Sequence, residues 1–527
     1  MMLSYPFKRF AVAVLMGLFF AATLFYVWRA QQPQVVVDAP QPLQCVSYAP
    51  FYKPGMNPTI QDTYIDPLQI ERDLKALSVV TQCVRTYSVS QGMDYVPKAA
   101  QKLGMQVLLG TWIGWLDAEN RVQLQLAVQL ANEFKQTVKG LIVGNEVLLR
   151  GEQPEAKMHE YLQWAQANTE VSVTYADVWE FWLRHPTLEQ DVDFITVHIL
   201  PYWEDLPVAI AQAVPHTVAV MNRVQNSFKK PVLIGETGWP SQGRQRFAAA
   251  PSLVNEARYV REFLQAAHTN GWQYNIIEAV DQPWKRELEG TVGGYWGLFD
   301  VDLKPKFAMQ GSVSERYDGL LPYVISLCLA MLAAVWAWRR RLPLSSQLLV
   351  IFTAATFGLH GFLQVDYVQH AARMRNEYLM LGGLVLLGWG LLWLQVRQLL
   401  NMSSSHGLEQ GMLLLFAGAL FAVSVSLGIN GRYIDFPLVL TLLPVIVVLI
   451  TLIYQYGQYP RAMQSGKAFV WLLAVLTLIA TNIALGVAML ELGNTSAWMW
   501  AGLCGLAAFV LPAKSMLTPQ AAIIPND

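Results

Sequence analysis

Long apolar segments are the feature that most constrains how this chain can fold. Residues 10–28 form one segment that is long and apolar enough to cross a bilayer as a helix. The composition agrees, because 54% of the residues are hydrophobic and only 14% are charged, an unusually apolar balance for a soluble protein. We predict one amino-terminal anchor and a polytopic all-α transmembrane domain over 319–512. Its seven spans are expected at 319–338, 346–363, 378–396, 411–428, 437–455, 469–489 and 497–512.

Basic residues set the expected orientation of these spans. Lys8 and Arg9 precede the first span, and no Ala-x-Ala-like cleavage site follows it, which indicates an uncleaved anchor with a cytoplasmic amino terminus at 1–9. Alternation then places the segment between the first and second spans outside, after a Pro/Gln-rich linker at 29–42. A cytoplasmic tail is expected at 513–527. The basic residues that this topology leaves inside are Arg339, Arg340, Arg341, Arg397, Arg461, Lys467 and Lys514, whereas Arg373, Arg375 and Arg432 fall in short outer loops.

The segment over 43–315 has mixed polarity and reads as an exported globular domain. Short apolar runs recur along it, as is typical of parallel strands that are buried on both faces, and helical stretches separate many of them. This pattern predicts a (β/α)₈ TIM barrel. An open doubly wound sheet is the alternative, although no Gly-rich phosphate turn follows these runs. The eight runs are 43–49, 77–87, 104–112, 138–145, 170–176, 192–199, 230–236 and 274–280.

Two glutamates stand directly after apolar runs, Glu146 in "LIVGNEV" and Glu236 in "VLIGETGWP". A barrel brings the carboxyl ends of all its strands to one mouth, so both carboxylates are expected there. Paired carboxylates suit the cleavage of a glycosidic bond, in which one acts as acid and the other as nucleophile or base. Either glutamate alone could instead be a solvated loop residue or a helix amino-terminal charge.

Other classes of function and site find little support. The net charge of −1 lacks the basic footprint of a nucleic-acid binder. No metal-ligand spacing and no cofactor motif is evident, so neither metal nor cofactor is predicted, and His198 reads as a strand histidine satisfied by hydrogen bonds. Cys45 and Cys83 could pair in an exported domain, but neighbouring parallel strands are expected to give poor disulfide geometry.

Several motifs resemble glycoside hydrolase family 17, the β-1,3-glucanase-like barrels. "VGNE" at 143–146 looks like the acid/base motif and "GETGWPS" at 235–241 like the nucleophile motif. "EAVDQPWK" at 278–285 and "YWGLFDVDLKPK" at 295–306 resemble the eighth strand and the closing segment. The resemblance covers about 43–310. It departs from the family at the sixth strand, where His198 and Leu200 stand in place of the usual Asn and Tyr.

The resemblance implies roles for individual residues. Glu146 would be the acid/base and Glu236 the nucleophile, while Asn145 would bond the sugar 2-hydroxyl. Tyr202 would orient Glu236, and Trp239 would line the subsite of the cleaved sugar. Further binding residues would be Arg85 and Tyr87 on the nucleophile side, and Asp281, Trp284 and Lys285 at the mouth.

The expected function is that of a membrane-tethered retaining hydrolase or glucanosyltransferase of β-1,3-linked glucan. The resemblance extends to membrane-bound bacterial forms described as β-1,6-glucan synthases, which implies β-1,6 linkage formation and a bacterial inner membrane with the barrel in the periplasm. Expected partners are a β-glucan, the lipid bilayer and glucan synthase machinery, and no nucleic acid. A non-catalytic glucan-binding protein and an accessory of glucan synthesis or export remain alternatives.

Overall fold

The structure, a computed structural model, describes residues 5–40, 42–400, 402, 405–455 and 467–516. It contains two compact units, one formed by Pro33–Val313 and the other by Met1–Gln32 together with Ser314–Asp527. Arg461 and most of the expected cytoplasmic tail, after Met516, lie outside the described residues, so the orientation expected for them stays a prediction.

Eight parallel strands close the first unit into a barrel in sequence order, which confirms the predicted (β/α)₈ fold. Each strand overlaps one of the predicted apolar runs. The strands are β1 (Val46–Ser47), β2 (Cys83–Arg85), β3 (Gln106–Thr111), β4 (Val138–Asn145), β5 (Val173–Val178), β6 (Ile195–His198), β7 (Val232–Thr237) and β8 (Gln273–Ile276).

Helices follow the barrel strands, and helix α1 (Tyr5–Ala30) belongs to the second unit. Local sequence signals mark several barrel helix ends. The Asp66 side chain caps the helix Pro67–Leu77 by accepting a hydrogen bond from the Leu68 N–H. Gly271, in the left-handed conformation, ends the helix Leu253–Asn270, which precedes β8. The barrel helices are α2 (Pro67–Leu77), α3 (Val96–Lys102), α4 (Asp117–Glu133), α5 (Glu155–Asn168), α6 (Trp179–Arg184), α7 (Ile210–Ser227), α8 (Leu253–Asn270) and α9 (Arg286–Glu289).

The barrel interior is apolar far from the mouth and polar close to it. Cys45 and Cys83 pack in a buried cluster with interior side chains of the other strands. Because side chains alternate along a strand, Ser47 and Arg85, two residues further on, lie on the same interior side but nearer the mouth. Both are fully buried. The apolar members of the lower cluster are Leu108, Ile142, Ala176 and Leu233.

Cys45 and Cys83 form a disulfide, with their Cα atoms 4.4 Å apart. The structure therefore contains the pairing that the sequence left open. The reason is register: Val46 pairs with Val84 between β1 and β2, which sets the two preceding cysteines side by side on the interior face. The disulfide thus covalently joins the first two strands of the barrel.

Removal of this disulfide should lower the stability of the barrel. For the full-length double variant Cys45→Ser/Cys83→Ser we expect a loss of about 2–4 kcal/mol, because the crosslink restricts the unfolded chain over 38 residues. Chemical unfolding followed by tryptophan fluorescence, with and without reductant, measures it. Cys328→Ser, which removes a free cysteine, is the control. Equal stability of the double variant and the parent would contradict the expectation.

Among its described residues, the second unit contains α1 and seven further helices. All eight are long and apolar enough to cross a membrane, the same number as the predicted spans, and several of them extend beyond the predicted segments. The helices after the barrel are α10 (Leu321–Arg339), α11 (Leu344–Ala371), α12 (Arg375–Leu399), α13 (His406–Ile429), α14 (Leu438–Gln455), α15 (Lys467–Leu490) and α16 (Thr495–Ser515).

A buried polar cluster joins four helices of this unit. Glu409 on α13 lies 3.4 Å from the ammonium of Lys514 on α16. Gln398 on α12 donates to Glu409 at 2.5 Å and accepts from Lys514 at 2.7 Å. Gln395 donates to Glu409 at 2.9 Å, and Gln455 on α14 donates to Gln398 at 3.0 Å. Each ionised group therefore has both an opposite charge and amide partners.

Breaking this ion pair on one side should destabilise the helical unit. Lys514→Met leaves the Glu409 carboxylate buried and uncompensated, at a cost of about 3–5 kcal/mol. The double variant Glu409→Gln/Lys514→Met removes both charges and should recover most of the loss. Thermal unfolding in detergent measures the effect, and Lys467→Met, at an exposed position, is the control. A single variant as stable as the control would show that the pair contributes little.

Candidate active site

Glu146 follows β4 at the mouth of the barrel, in an unusual backbone conformation. Its φ angle is 53° and that of Gly144 is 83°, both in the left-handed region. A Cβ on Gly144 would lie 2.7 Å from a Val147 methyl carbon, so only glycine fits there. A non-glycine residue in this region costs on the order of 1–3 kcal/mol and is found preferentially at functional sites. The sharp turn directs Glu146 into the mouth instead of along the strand.

Glu236 lies inside β7 and is 5% exposed. Gly238, two residues later, allows a close backbone approach, because a Cβ there would lie 2.3 Å from the Ile277 carbonyl oxygen. The strand therefore holds the glutamate rigidly, and the glycine lets the chain pass the neighbouring segment.

The two glutamates converge, as predicted. One carboxylate oxygen of Glu146, one of Glu236 and a ring nitrogen of His198 all lie within 4.8 Å of one another. Retaining glycosidases hold their two carboxyl groups about 5–5.5 Å apart, whereas inverting ones need about 6.5–9.5 Å to admit a water. Glu146 and Glu236 therefore each present an oxygen to the same small space, as attack by one carboxylate and protonation by the other require.

Two donors converge on a single oxygen of Glu236. The Tyr87 hydroxyl donates to Oε1 at 2.8 Å, and the Arg85 guanidinium donates to the same oxygen at 3.2 Å. Burial and the adjacent Glu236 carboxylate raise the pKa of Tyr87 well above its usual value, so the phenol remains a neutral donor. These contacts hold Glu236 in one orientation, and neither of the two donors occupies its other oxygen, Oε2. Arg85 and Tyr87 thus lie where the resemblance expects them.

Asn145, the residue before Glu146, belongs to the same network. Its Oδ1 accepts from Arg85 Nη2, and Arg85 Nη1 also donates to the Gly235 carbonyl oxygen at 2.6 Å. With Oδ1 occupied, the amide NH₂ is the group of Asn145 that could meet a sugar hydroxyl. One buried arginine therefore links both strands that carry the glutamates.

The hydroxyl of Tyr202, the residue expected to orient Glu236, makes its hydrogen bond elsewhere. Its hydroxyl donates to the Arg244 carbonyl oxygen at 2.6 Å, and Tyr87 is the tyrosine that donates to Glu236. Trp239 is fully buried, donates to the Ala250 carbonyl oxygen at 3.1 Å and packs edge-on against Tyr202. Both rings therefore form part of an aromatic wall behind the site, because their polar ends are satisfied by backbone carbonyl groups.

The three residues expected at the mouth near β8 have different environments. Asp281 is buried and accepts from the Gly297 N–H at 2.8 Å and from Lys306 at 3.0 Å, so these two contacts tie it to the loop after β8. Lys285 donates to both oxygens of Glu278, at 2.9 and 3.0 Å. Trp284 is half-buried and remains a candidate contact for a sugar.

Two residues near the site were not recognised from the sequence. Glu278 is buried, which raises its pKa to about 7 against the opposing effect of the Lys285 ammonium. His198 lies between the glutamates, with Nδ1 2.8 Å from Glu146 Oε1. The signal that could have found His198 is its place at the end of β6, because strand ends converge at the mouth.

Glu146, His198 and Glu236 lie close enough together to hold a cation. The Arg85 guanidinium beside Glu236 would, however, repel a cation at this position.

A closed barrel with two glutamates at its mouth is the arrangement that cleavage of a glycosidic bond by paired carboxylates requires. Comparison with known proteins agrees, because residues 45–297 match the model of the BtgE/BtgC glycoside hydrolase domain. Two fungal relatives of this region carry glucanase names. The "Glucan 1,3-beta-glucosidase" of Arthroderma benhamiae is 25% identical over 274 residues, which are 48% of this chain and 88% of the relative. The "Probable glucan endo-1,3-beta-glucosidase btgC" of Aspergillus fumigatus is 26% identical over 273 residues, which are 45% of this chain and 39% of the relative.

Among solved structures, the glycoside hydrolase family 17 β-1,3-glucanosyltransferase of Rhizomucor miehei is 26% identical. The match covers 51% of this chain and 98% of that one, with a TM-score of 0.45. The predicted enzyme class, a glycosidase or transglycosylase, is confirmed by the domain match and by the named relatives. The roles of individual residues and the bacterial, membrane-bound character stay predictions.

Proposed function

We propose that the chain is a membrane-tethered retaining enzyme that cleaves β-1,3-linked glucan and transfers the released segment to water or to a sugar hydroxyl. The observation that carries the proposal is the convergence of Glu146 and Glu236 oxygens within 4.8 Å at the barrel mouth. The names of the fungal relatives support β-1,3-glucan as the substrate class.

The two carboxyl groups would divide the reaction between them. Glu236, held by Arg85 and Tyr87, attacks the anomeric carbon while Glu146 protonates the departing oxygen. Glu146 then removes a proton from water or from a sugar hydroxyl, which attacks the same carbon and displaces Glu236. Two displacements restore the original anomeric configuration.

We further propose that the barrel works outside the cytoplasmic membrane, in the periplasm of a bacterium, with α1 and α10–α16 in the inner membrane. Eight candidate spans and the distribution of basic residues support this topology. The Cys45–Cys83 disulfide also supports it, because disulfides persist in oxidising compartments. A glucan segment held near the membrane could receive β-1,6 branches or be processed beside glucan synthase machinery.

The test uses the full-length protein in detergent with laminari-oligosaccharides. Proton NMR during the first minutes should show the β-anomer, and mass spectrometry should show products of altered length. Products longer than the substrate indicate transfer, and methylation analysis identifies any β-1,6 bond. Initial release of the α-anomer would overturn the retaining mechanism. Unchanged oligosaccharides that still bind the protein would overturn catalysis in favour of glucan recognition.

A further inference from the structure

His198 lies deep in the site, between the two catalytic candidates. Its side chain is inaccessible to solvent, and Nδ1 lies 2.8 Å from Glu146 Oε1 and 3.7 Å from Glu236 Oε2. On the other side of the ring, Nε2 lies 3.3 Å from Arg85 Nη1. This imidazole is therefore enclosed by three groups of the site, and each ring nitrogen has a defined neighbour.

The neighbours fix the position of the ring proton. Arginine can only donate hydrogen bonds, so Nε2 of His198 must be the acceptor in its contact with Arg85. The ring proton then resides on Nδ1, where it faces carboxylate oxygens that can only accept when ionised. The shorter distance assigns this proton to Glu146 Oε1. Arg85 itself is held by the Gly235 carbonyl oxygen and by Asn145, so the orientation of the imidazole is built into the barrel.

We propose that His198 is a positioning residue that decides which oxygen of Glu146 exchanges protons with the substrate. The inference rests on the proposed function, in which Glu146 is the acid/base. Because the His198 N–H occupies Oε1, an acidic proton on Glu146 must lie on Oε2. The carboxyl plane is also held, since a rotation of Glu146 would break its hydrogen bond with the fully buried His198.

The same contact serves the second step of the reaction. Once Glu236 is esterified, its negative charge is gone, and Glu146 carries the remaining carboxylate of the pair. His198 then donates to that carboxylate at Oε1 while Oε2 takes the proton of the incoming hydroxyl. The hydroxyl oxygen bonds to the anomeric carbon as the ester bond to Glu236 breaks, so protons and electron pairs balance.

Several charged groups act on Glu146 along with His198. Burial raises the pKa of Glu146, but the His198 hydrogen bond and the cations of Arg150 and Arg85 outweigh burial and lower it. The acids that face Glu146 act in the opposite direction, and one of them, Asp177, has its own pKa raised to about 6, mainly by burial. The charged and titratable groups around Glu146 are Arg85, Arg150, Asp177, His198, Glu236 and Glu289.

Two substitutions of His198 distinguish the effect of the Nδ1 donor from the effect of losing the rest of the imidazole ring. The amide nitrogen of Asn in His198→Asn lies near the position of Nδ1 and can still donate to Glu146. The amide of Gln in His198→Gln reaches toward Arg85 and leaves Glu146 without its donor. The full-length protein is assayed in detergent on laminari-oligosaccharides across pH, because the alkaline limb of kcat/KM reports the acid of the free enzyme.

For His198→Gln we expect the alkaline limb to move up by about one pH unit, because a donor to the charged form is lost. We also expect kcat/KM to fall about tenfold to a hundredfold from misorientation of Glu146. His198→Asn should keep the alkaline limb of the parent and most of its kcat/KM.

A substrate-free measurement keeps the inference separate from the proposed function. Infrared difference spectra against Glu146→Gln follow the protonation of Glu146 directly, and its transition should move to higher pH in His198→Gln but not in His198→Asn. Identical transitions in the parent and both variants would overturn the role of His198. An inactive parent with the expected infrared shift would instead count against the proposed function alone.

Discussion

Glu236→Gln should abolish glucan cleavage, with a loss in kcat of at least about a thousandfold, because the amide cannot form the glycosyl ester. The structure gives this residue the attacking position: it is 5% exposed, and two donors converge on one oxygen. Initial rates on laminari-oligosaccharides with the full-length protein measure the effect.

Loss of activity through misfolding must be separated from loss of the nucleophile, since Arg85 would lose a buried partner. A 2-deoxy-2-fluoro glucan glycoside with a good leaving group should label the parent covalently, and peptide mass spectrometry should locate the label on Glu236. Glu133→Gln removes an exposed carboxylate from α4 and should keep parent activity. A label on another residue, or a Glu236→Gln variant that still cleaves at parent rates, would contradict the assignment.

Glu146→Ala should show a loss that depends on the leaving group. On laminari-oligosaccharides, whose departing oxygen needs a proton, we expect kcat/KM to fall about 10²–10⁴-fold. An aryl glycoside with an acidic phenol needs little protonation, so its first step should be nearly as fast as in the parent. The glycosyl-enzyme then accumulates, because the base that activates the acceptor is missing.

Azide tests that assignment, since it attacks the glycosyl-enzyme without base catalysis and fits the space left by the glutamate side chain. Turnover of the aryl glycoside by Glu146→Ala should recover with azide and yield the β-glycosyl azide. The same treatment of Glu236→Ala should yield the α-azide, because only one displacement occurs. An equal loss on both substrates, without azide recovery, would argue that Glu146 supports the fold and not proton transfer.

The site was only partly predictable from sequence. Glu146 and Glu236 could be placed at one mouth because each ends an apolar run, and a barrel gathers strand ends. The tyrosine beside the nucleophile could not be chosen, since Tyr87 and Tyr202 both follow strands and only side-chain direction separates them. From its sequence context alone, His198 is expected to be a structural histidine, because its partners Arg85 and Glu146 are distant along the chain.

The sequence by itself determined the class of fold, the number of long apolar helices and the two glutamates that the barrel brings together. These follow from local properties: the length and apolarity of each run and the residue at its end. Only the tertiary structure decided the Cys45–Cys83 pairing, which tyrosine donates to Glu236, the place of His198 and the buried pair of Glu409 and Lys514. Each depends on strand register or helix packing between distant residues, which no local pattern encodes.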